Sequence, residues 1–318
     1  MPQEKKKIVM YFKRKRTGEL GDPFAKFGVK RKVYHYFFQK GQKLGFEMFL
    51  ANGEQTYLGE LDFENLSYFD KNKFIIKKEN ITADAVYDRS GGLSFPTNNI
   101  NKKVLNCIAF KTLCNDKNSM YGLLKKYMPK SFEITSQKSF IKMLEKFDNS
   151  SLIVLKPAKG LGGKGIIIAN KDTIKNTKLE KKESYVLQEF VDTSNGIKGI
   201  TNKKHDLRVI VIGGKIIYAN LRTPKKGSLL ANVSQGGKIK EIPIEKIPKK
   251  VKLIVKKIQN KIDKKYNYPI YSIDFGISNS KPYVFEINDQ IGFPRDSTKN
   301  YKKFIDSILR SIERLSKK

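Results

Sequence analysis

A lysine and a glycine-rich turn stand between two apolar runs near the middle of the chain. Lys156 lies at the end of the first run, and the turn that follows contains Gly160, Gly162, Gly163 and Gly165. Backbone N–H groups of glycines can approach phosphate oxygens closely because no Cβ atoms intervene, and the lysine adds a positive charge. These residues therefore predict a phosphate-binding loop. The alternative is an ordinary glycine-rich hairpin without a ligand.

The residues after the turn indicate which kind of loop this is. A Gly-x-Gly-x-x-Gly pattern also occurs in dinucleotide-binding turns, which join a strand to a helix. Here a short β-branched run begins at Ile166 and ends at Asn170, which predicts a second strand. Ile166 also stands where a P-loop needs lysine. The sequence thus predicts a β-hairpin whose turn closes over phosphates.

Two strand-like segments near the C-terminus carry oxygen-bearing side chains at alternate positions. If the turn between them is centred near Ser280, Asp274 lies opposite Glu286 and Ser272 lies opposite Asn288. Two facing carboxylates repel each other, so the pair favours a bound cation, and oxygen ligands beside a phosphate site favour Mg²⁺. A solvated acidic hairpin is the alternative.

Composition restricts the class of protein. The chain has 318 residues, 39% of them hydrophobic, and a formal charge of +33. We expect a globular protein with a lysine-rich solvated surface, or one that binds an acidic substrate, an acidic partner or a nucleic acid. Cys107 and Cys114 predict small core residues rather than a disulfide or a zinc site. With neither a membrane-spanning stretch nor a signal peptide in the sequence, the expected location is the cytoplasm.

The order of elements predicts an α/β (α+β) fold in three segments. Residues 1–95 suggest a small α/β domain, with helical spacing from Val33 to Phe38. Residues 96–184 suggest helices from 101 to 147, one capped by Asp116, and then the glycine hairpin. Residues 185–318 suggest further strands, with a two-residue turn at 213–214, and a final helix.

Two polar positions have alternative interpretations. Asp88 and Arg89 follow a strand and could meet a ligand, although a salt bridge at the strand end is the favoured interpretation. His205 could accept a proton, although a histidine that only forms hydrogen bonds is favoured.

Taken together, the ordered motifs resemble those of the ATP-grasp superfamily. The glycine hairpin with Lys156 is followed by QEFV, HDLR, ANVSQGG and FEIND. The chain looks nearest to the glutathione-synthetase-like and RimK-like carboxylate–amine ligases, over roughly residues 96–300. This resemblance implies an N-terminal pre-ATP-grasp domain and two α+β subdomains that clamp ATP.

The resemblance also implies roles for individual residues. ATP would contact Lys117, Lys156, Gly160, Gly162, Gly163, Gly165, Asp206 and an adenine hinge formed by Gln188, Glu189, Phe190 and Val191. The catalytic side chains of the phosphate-transfer centre would be Arg208, Arg222 and Asn232. Mg²⁺, or Mn²⁺ in its place, would be held by Asp274, Glu286 and Asn288. Two departures lie towards the acceptor side: Leu230 stands where related ligases often have arginine, and residues 288–293 read NDQIGF where they often have Asn-x-x-Pro-Gly.

The implied activity is an ATP-dependent carboxylate–amine ligase. ATP phosphorylates a carboxylate of a small molecule or peptide, and an amine attacks the acylphosphate to form an amide, with release of ADP and phosphate. Two alternatives stay open. The chain could be an ATP-grasp kinase for a small anionic hydroxyl compound, or a non-catalytic polyanion-binding protein with a vestigial ATP site.

Overall fold

The structure is a computed structural model of the chain. It describes residues 4–15, 22–90, 102–160, 163–225, 227–229, 231 and 236–317. Three residues considered above, Gly162, Leu230 and Asn232, lie outside the described residues. Within those residues, none of the helices combines the length and the apolar character that are needed to cross a bilayer.

The first part of the chain forms a six-stranded sheet covered by a helix. Its elements, in chain order, are β1 (Lys7–Phe12), α1 (Arg31–Lys43), β2 (Glu47–Asn52), β3 (Tyr57–Gly59), β4 (Asp62–Phe63), β5 (Leu66–Asp70), β6 (Lys73–Lys77), β7 (Ile81–Thr82), β8 (Ala85–Asp88) and β9 (Val104–Leu105). The sheet order is β6-β5-β2-β1-β8-β9, and β3, β4 and β7 form a small separate sheet. The predicted helical spacing is confirmed, since α1 buries Val33, Phe37 and Phe38 against the sheet.

The second part contains a four-stranded antiparallel sheet. Its elements are α2 (Ile108–Asn115), α3 (Lys117–Leu124), β10 (Ser131–Ile134), α4 (Gln137–Leu144), β11 (Leu152–Pro157), β12 (Ile167–Asn170), α5 (Lys171–Ile174) and β13 (Tyr185–Glu189). Asp116 caps α3 as predicted, because its side chain accepts hydrogen bonds from the N–H groups of Asn118 and Ser119. The predicted helical pattern from 101 is wrong at Val104–Leu105, which forms β9 and pairs with β8. Between the second and third predicted helices lies β10, which pairs with β13.

The glycine-rich turn joins two paired strands, as predicted. β11 and β12 are antiparallel, with Leu152 opposite Asn170 and Leu155 opposite Ile167. The short β-branched run therefore forms a strand and not a helix, which excludes the dinucleotide-binding geometry.

The third part is a five-stranded sheet with a helix on each face. Its elements are β14 (Asp206–Ile212), β15 (Lys215–Thr223), β16 (Lys238–Ile242), α6 (Lys249–Ile262), β17 (Ile270–Ser278), β18 (Lys281–Asn288) and α7 (Tyr301–Ser316), with the strand order β16-β15-β14-β17-β18. The two-residue turn between β14 and β15 is confirmed: Gly213 and Gly214 have φ of 58° and 78°, which glycine adopts without steric cost.

Strand pairing bears on where the three segments meet, although residue 95, the first predicted boundary, lies outside the described residues. β9 belongs to the first sheet and β13 to the four-stranded sheet. We therefore propose boundaries after Leu105 and after Glu189 instead of at 95 and 184. The four-stranded sheet has its own core, whereas α7 packs its apolar face against α1, so the first and last segments share one core.

A buried ion pair connects the first sheet to α2. Asp88, at the end of β8, pairs with Lys111, and each side chain is only 1% exposed. The salt bridge expected at this strand end thus forms with Lys111 and not with Arg89. Nearby, the Asn106 side chain donates to the carbonyls of Ile270 (2.6 Å) and Asp289 (3.0 Å), which ties the connecting segment to the third sheet.

Replacing Lys111 by methionine should destabilise the protein strongly. The change leaves the Asp88 carboxylate buried without its cation, which typically costs about 3–5 kcal/mol. Chemical denaturation of Lys111→Met beside the exposed-lysine control Lys126→Met measures the difference. The second replacement Asp88→Asn in the Lys111→Met background should recover part of the loss, and a Lys111→Met variant as stable as the control would contradict this assignment.

Candidate functional site

One cavity between the four-stranded and five-stranded sheets brings most of the predicted site residues together. The predicted residues that line it are Lys117, Lys156, Gly160, Gly163, Gln188, Glu189, Phe190, Val191, Asp206, Asp274 and Glu286. Four others that the structure describes are not among its lining residues, namely Gly165, Arg208, Arg222 and Asn288.

Two lysines supply positive charge to the cavity. The buried Lys156 Nζ donates to Gln188 Oε1 (3.0 Å), and Gln188 Nε2 donates to Ser131 Oγ (2.7 Å). Lys117 Nζ donates to the Gly160 carbonyl (2.9 Å). In the described part of the chain neither ammonium group pairs with a carboxylate, so the cavity can accept an anion beside them.

Burial changes the acid–base behaviour of both lysines. It lowers the pKa of Lys156 to about 8, where the charge of Glu286 opposes the change and that of Lys117 adds to it. Burial also lowers the pKa of Lys117. An anion bound between these ammonium groups would favour their charged forms.

Two glycines of the hairpin, Gly160 and Gly163, line the cavity together with the lysines. Gly160, Gly163 and Gly165 have φ of 120°, 77° and 72°, a region that side chains rarely adopt. Gly160 and Gly163 line the cavity, whereas Gly165 lies against Pro157, where an added Cβ would meet the ring at 3.0 Å. Gly165 thus shapes the turn and does not face the cavity.

The predicted hinge also lines the cavity. β13 ends at Glu189, and the Phe190 N–H donates to the Leu152 carbonyl (3.3 Å). Apolar side chains, including those of Ile168 and Phe285, also line the cavity. The Gln188 side chain accepts a hydrogen bond from Lys156. The cavity thus combines apolar walls, which suit a flat ring, with lysines, which suit charged substituents.

A layer of alternating charges lies below the cavity on the five-stranded sheet. Register places Arg208 opposite Asp274 and Asp206 opposite Arg222. Arg208 donates from Nε to Asp274 Oδ1 (2.7 Å) and from Nη2 to Oδ2 (2.6 Å), while Arg222 Nη2 is shared between Asp274 Oδ2 (2.7 Å) and Asp206. The two arginines predicted to be catalytic are therefore counter-ions for the acids.

The pKa values of the two aspartates in this layer are shifted in opposite directions. Burial alone would raise the pKa of Asp274, but Arg208 and Arg222 outweigh it and hold that pKa well below its usual range. Burial and the nearby charge of Asp274 raise the pKa of Asp206 to about 7. Among the described atoms, Asp206 Oδ1 is buried and has no hydrogen-bond partner. The layer thus presents one firmly ionised carboxylate and one with an open oxygen.

The carboxylate hairpin has the predicted register. Asp274 faces Glu286, and Ser272 faces Asn288. The turn is centred between Asn279 and Ser280, half a residue before the predicted centre at Ser280. A bulge at Phe285 adds one residue to β18 and thereby restores the predicted pairing of Asp274 with Glu286. The Phe285 ring packs on Gly276, where an added Cβ would lie 2.1 Å from the ring. The bulge thereby directs the Phe285 ring into the cavity. The sequence analysis did not include this side chain in the site.

The donor set suits a hard cation only in part. The described residues contain no group of three or more His, Cys, Asp or Glu side chains arranged to hold a metal. The predicted set has two carboxylates and one amide: Asn288 Nδ2 lies 3.3 Å from Asp274 Oδ2 and 3.2 Å from Glu286 Oε1. Both oxygens of Asp274 already accept from arginine. The partly exposed Glu286 carboxylate and the Asn288 amide oxygen are therefore more accessible to a cation than Asp274 is. Oxygen ligands of this kind suit Mg²⁺.

The histidine considered above lines the cavity, and backbone groups contact both of its ring nitrogens. His205 Nδ1 lies 3.1 Å from the Lys203 carbonyl, and its Nε2 lies 3.3 Å from the Ile277 N–H. Because the Ile277 amide donates, Nε2 accepts, and the proton is on Nδ1. Burial lowers the pKa of His205, which favours the neutral ring that this arrangement needs.

Comparison with known proteins gives the fold and the family. The structure resembles D-alanyl-alanine synthetase A from Vibrio cholerae (TM-score 0.61, 13% identity, 98% of each chain). It also resembles a RiPP-associated ATP-grasp ligase from Chryseobacterium gregarium in complex with ADP and a leader and core peptide (TM-score 0.62, 14% identity, 97% of each chain). At these identities the likeness shows the fold, which is ATP-grasp, as predicted.

Sequence relatives point to one branch of that fold. A probable alpha-L-glutamate ligase of Syntrophotalea carbinolica is 27% identical over 169 residues, which cover 52% of this chain and 51% of that protein. A probable alpha-L-glutamate ligase of Legionella pneumophila is 28% identical over 169 residues, which again cover 52% of this chain and 51% of that protein. The chain spans about half the length of the curated relatives that it matches.

The RimK-like ATP-grasp domain model matches residues 114–312, which is more than half of the chain. The match includes both hairpins and the whole charged layer, and it agrees with the resemblance inferred from the motifs. The chain therefore belongs to the RimK-like ATP-grasp family.

Proposed function

We propose that this protein is an ATP-dependent carboxylate–amine ligase that works through an acylphosphate. The observation that carries the proposal is the cavity described above. The cavity is lined by apolar side chains, by Lys117 and Lys156, and by three acids of the five-stranded sheet, Asp206, Asp274 and Glu286. A nucleotide has matching parts. Its flat base suits apolar walls, and the negative charge of its phosphates must be neutralised by cations.

The proposed orientation of ATP follows from the cavity lining. The base would lie near Phe190 and Phe285, with its edge on the hinge backbone. The phosphates would lie between Lys156 and the glycine hairpin, whose N–H groups can donate to them. Magnesium, when bound by Glu286, Asn288 and Asp274, supplies charge neutralisation for the phosphate oxygens.

The reaction then needs positioning more than side-chain chemistry. The substrate carboxylate takes the γ-phosphoryl group and ADP leaves; the amine attacks the acyl carbon, the C–O bond to phosphate breaks and the amine loses a proton. Lys156 would hold the transferred group. Arg208 and Arg222 act as positioning residues, because they fix the acids and do not line the cavity.

The substrates are proposed from the relatives. Because the relatives are named probable alpha-L-glutamate ligases, we propose that glutamate is one substrate and that the other is a small molecule or a peptide. The net charge of +33 suits an acidic substrate.

An ADP-release screen with pooled acids and amines tests the activity. A ligase should form ADP only when both an acid and an amine are present, and the product mass should equal their sum less one water. ADP formed with one hydroxylated acceptor, and a product that gains a phosphoryl group, would instead indicate a kinase. Salt-dependent nucleic-acid binding without any turnover would indicate the binding protein.

The affinity for ATP should fall as pH rises through about 8. Lys156 is charged below its pKa of about 8 and neutral above it. Its attraction to the phosphates is therefore present at pH 7 and lost by pH 9, which corresponds to about a tenfold weaker affinity. Calorimetric titration with ATP across this range measures the change.

Lys156→Met separates this effect from other titrations. The variant should bind ATP weakly at pH 7 and should lack the decline between pH 7 and 9. The exposed-lysine control Lys142→Met should behave as the wild type does. The role of Lys156 is refuted if Lys156→Met keeps both the wild-type affinity and its pH dependence.

Glu286→Gln should lower Mg²⁺-dependent ADP formation by about 100-fold or more, since it removes a charged oxygen ligand at the phosphates. The fold should survive, because the Glu286 side chain is 36% exposed. Its melting temperature should match that of Glu245→Gln, an exposed control. Unchanged turnover over a titration of Mg²⁺ would remove Glu286 from the metal site.

A further inference from the structure

Helix α6 differs from α7 in the charges that it carries. Residues 249–265, which are α6 and the three residues after it, contain no arginine and eight lysines, which stand at positions 249, 250, 252, 256, 257, 261, 264 and 265. The one acidic residue in this range, Asp263, is buried and accepts a hydrogen bond from the Tyr271 hydroxyl (3.0 Å). Around α7 both signs occur, and Lys317 pairs with Glu313 (2.8 Å). The exposed side of α6 therefore carries positive charge only.

The lysines of α6 lie on the side of the helix that faces the solvent. The opposite side is buried, with Val251, Val255, Ile258 and Ile262 in the core. The lysines at positions 249, 250, 256, 257, 261, 264 and 265 are exposed, and with Lys252 they form the lysine face of α6. Since residues three or four apart are neighbours on a helix, these charges follow one another about every 5–6 Å. In the described part of the chain, none of the ion pairs involves a lysine of this face.

The positive surface continues beyond both ends of the helix. Lys250 Nζ donates to the Ser280 carbonyl (3.4 Å), in the turn between β17 and β18. Lys261 Nζ donates to the Leu123 carbonyl (2.9 Å), near the end of α3, and the two residues that follow α3 are exposed lysines. The 14 residues of α6 span about 21 Å, so the positive strip is somewhat longer than that.

The lysine face is on the other side of the five-stranded sheet from the cavity. The buried side of α6 packs in one core with Val209 and Leu221, whereas their neighbours Arg208 and Arg222 belong to the charged layer below the cavity. Successive side chains of a strand point to opposite faces of a sheet. The lysine face is therefore turned away from the cavity, and ATP and the substrates of the proposed reaction do not account for it.

The composition of the lysine face favours phosphates as its ligands. Interfaces between proteins are enriched in arginine and depleted of lysine. Lysine contacts phosphate as a point charge, whereas arginine forms the paired hydrogen bonds that carboxylates favour. A nucleic-acid duplex carries one phosphate charge per about 1.7 Å of its axis, so about twelve lie along the roughly 21 Å of α6. A row of lysines with no acid among them complements this density of charge.

A membrane surface suits the lysine face less well. A helix that lies in a bilayer interface buries its apolar side among the lipids. The apolar side of α6 packs on the sheet instead, and an isolated side chain such as Leu253, which is 62% exposed, does not replace it. Scattered apolar side chains of this kind are common on protein surfaces. The charges of the face are thus its means of binding.

We propose that the lysine face of α6 binds the phosphate backbone of a double-stranded nucleic acid and does not read its sequence. Contacts to phosphates position a protein on a duplex, whereas sequence is read by contacts to base edges. Because the face is turned away from the cavity, a bound duplex leaves the cavity open. The inference goes beyond the proposed ligase activity and does not depend on it. A solvated surface would explain the net charge of +33, but not the absence of acids from this side of one helix.

A duplex-binding assay with the full chain tests the proposal. Fluorescence anisotropy follows labelled DNA of about 20 base pairs, roughly two helical turns, in two unrelated sequences, and an RNA duplex of one of them. Both sequences should bind equally, and a plot of log affinity against log salt concentration should have a slope of about −4 or steeper, as expected for four or five phosphate contacts. Such binding of the DNA or of the RNA supports the proposal and identifies the preferred duplex. Binding of neither would overturn it.

Two other polyanions test the choice of partner. Vesicles that contain phosphatidylserine, and poly-L-glutamate, are added as competitors of the labelled duplex at matched concentrations of negative charge. The unlabelled duplex should displace the label at a lower concentration than either of them. If the vesicles or poly-L-glutamate compete as well as the unlabelled duplex does, the assignment to nucleic acid is wrong.

Replacing four exposed lysines by glutamine locates the binding surface. The variant Lys249→Gln/Lys256→Gln/Lys257→Gln/Lys264→Gln should keep the fold, because glutamine and lysine have similar helix propensities. Loss of four phosphate contacts should make the salt slope about 3–4 shallower and weaken duplex binding about 100-fold or more at about 0.1 M salt. The melting temperature and the rate of ADP release should stay at their wild-type values, so this result tests the lysine face separately from the ligase activity.

A matched control removes the same net charge from another part of the surface. Lys138→Gln/Lys142→Gln/Lys181→Gln/Lys182→Gln changes four exposed lysines around the four-stranded sheet and should bind the duplex as the wild type does. Equal losses in the two variants would show that the overall charge attracts the duplex. Wild-type binding by the α6 variant would exclude the lysine face. Either result would overturn the proposal.

Discussion

The pairing of Asp274 with two arginines is the interaction on which the rest of the site depends. Asp274 is buried, and a buried carboxylate without counter-charges would take up a proton. Arg208 and Arg222 keep it ionised, and through Arg222 it is coupled to Asp206. Because these residues face each other across β14, β15 and β17, strand register alone fixes the charged layer. The sheet therefore functions as a rigid base for the cavity.

Several features could be predicted from the sequence because their causes are local. Alternation along a strand decides which side chains share a face, so the residue order alone groups Asp274, Glu286 and Asn288. The glycine hairpin followed from the β-branched run after it, and the cap at Asp116 from a side-chain preference. The order of motifs then gave the family, which the match over residues 114–312 bears out.

Other features depend on contacts between distant segments, which no local pattern encodes. The bulge at Phe285 cannot be read from alternation, and the predicted register held because the bulge offset a turn that was placed half a residue away. β13 pairs with β10, although β11 and β12 lie between them in the chain. Lys111 forms an ion pair with Asp88, and Arg89 donates a hydrogen bond to Ile291, which lies 202 residues away in the chain. Sequence reasoning could list such charges but could not pair them.

The separate core of the four-stranded sheet has a mechanical consequence. Its buried residues, from Ile134 to Leu187, pack only among themselves in the described structure, whereas α1, α7 and β14 share a common core. Sliding the four-stranded sheet would therefore expose little apolar surface, but moving the first segment against the last would open a core. Lys156 thus belongs to the segment with a core of its own, and Asp274 and Glu286 belong to the segment that shares its core with the first sheet.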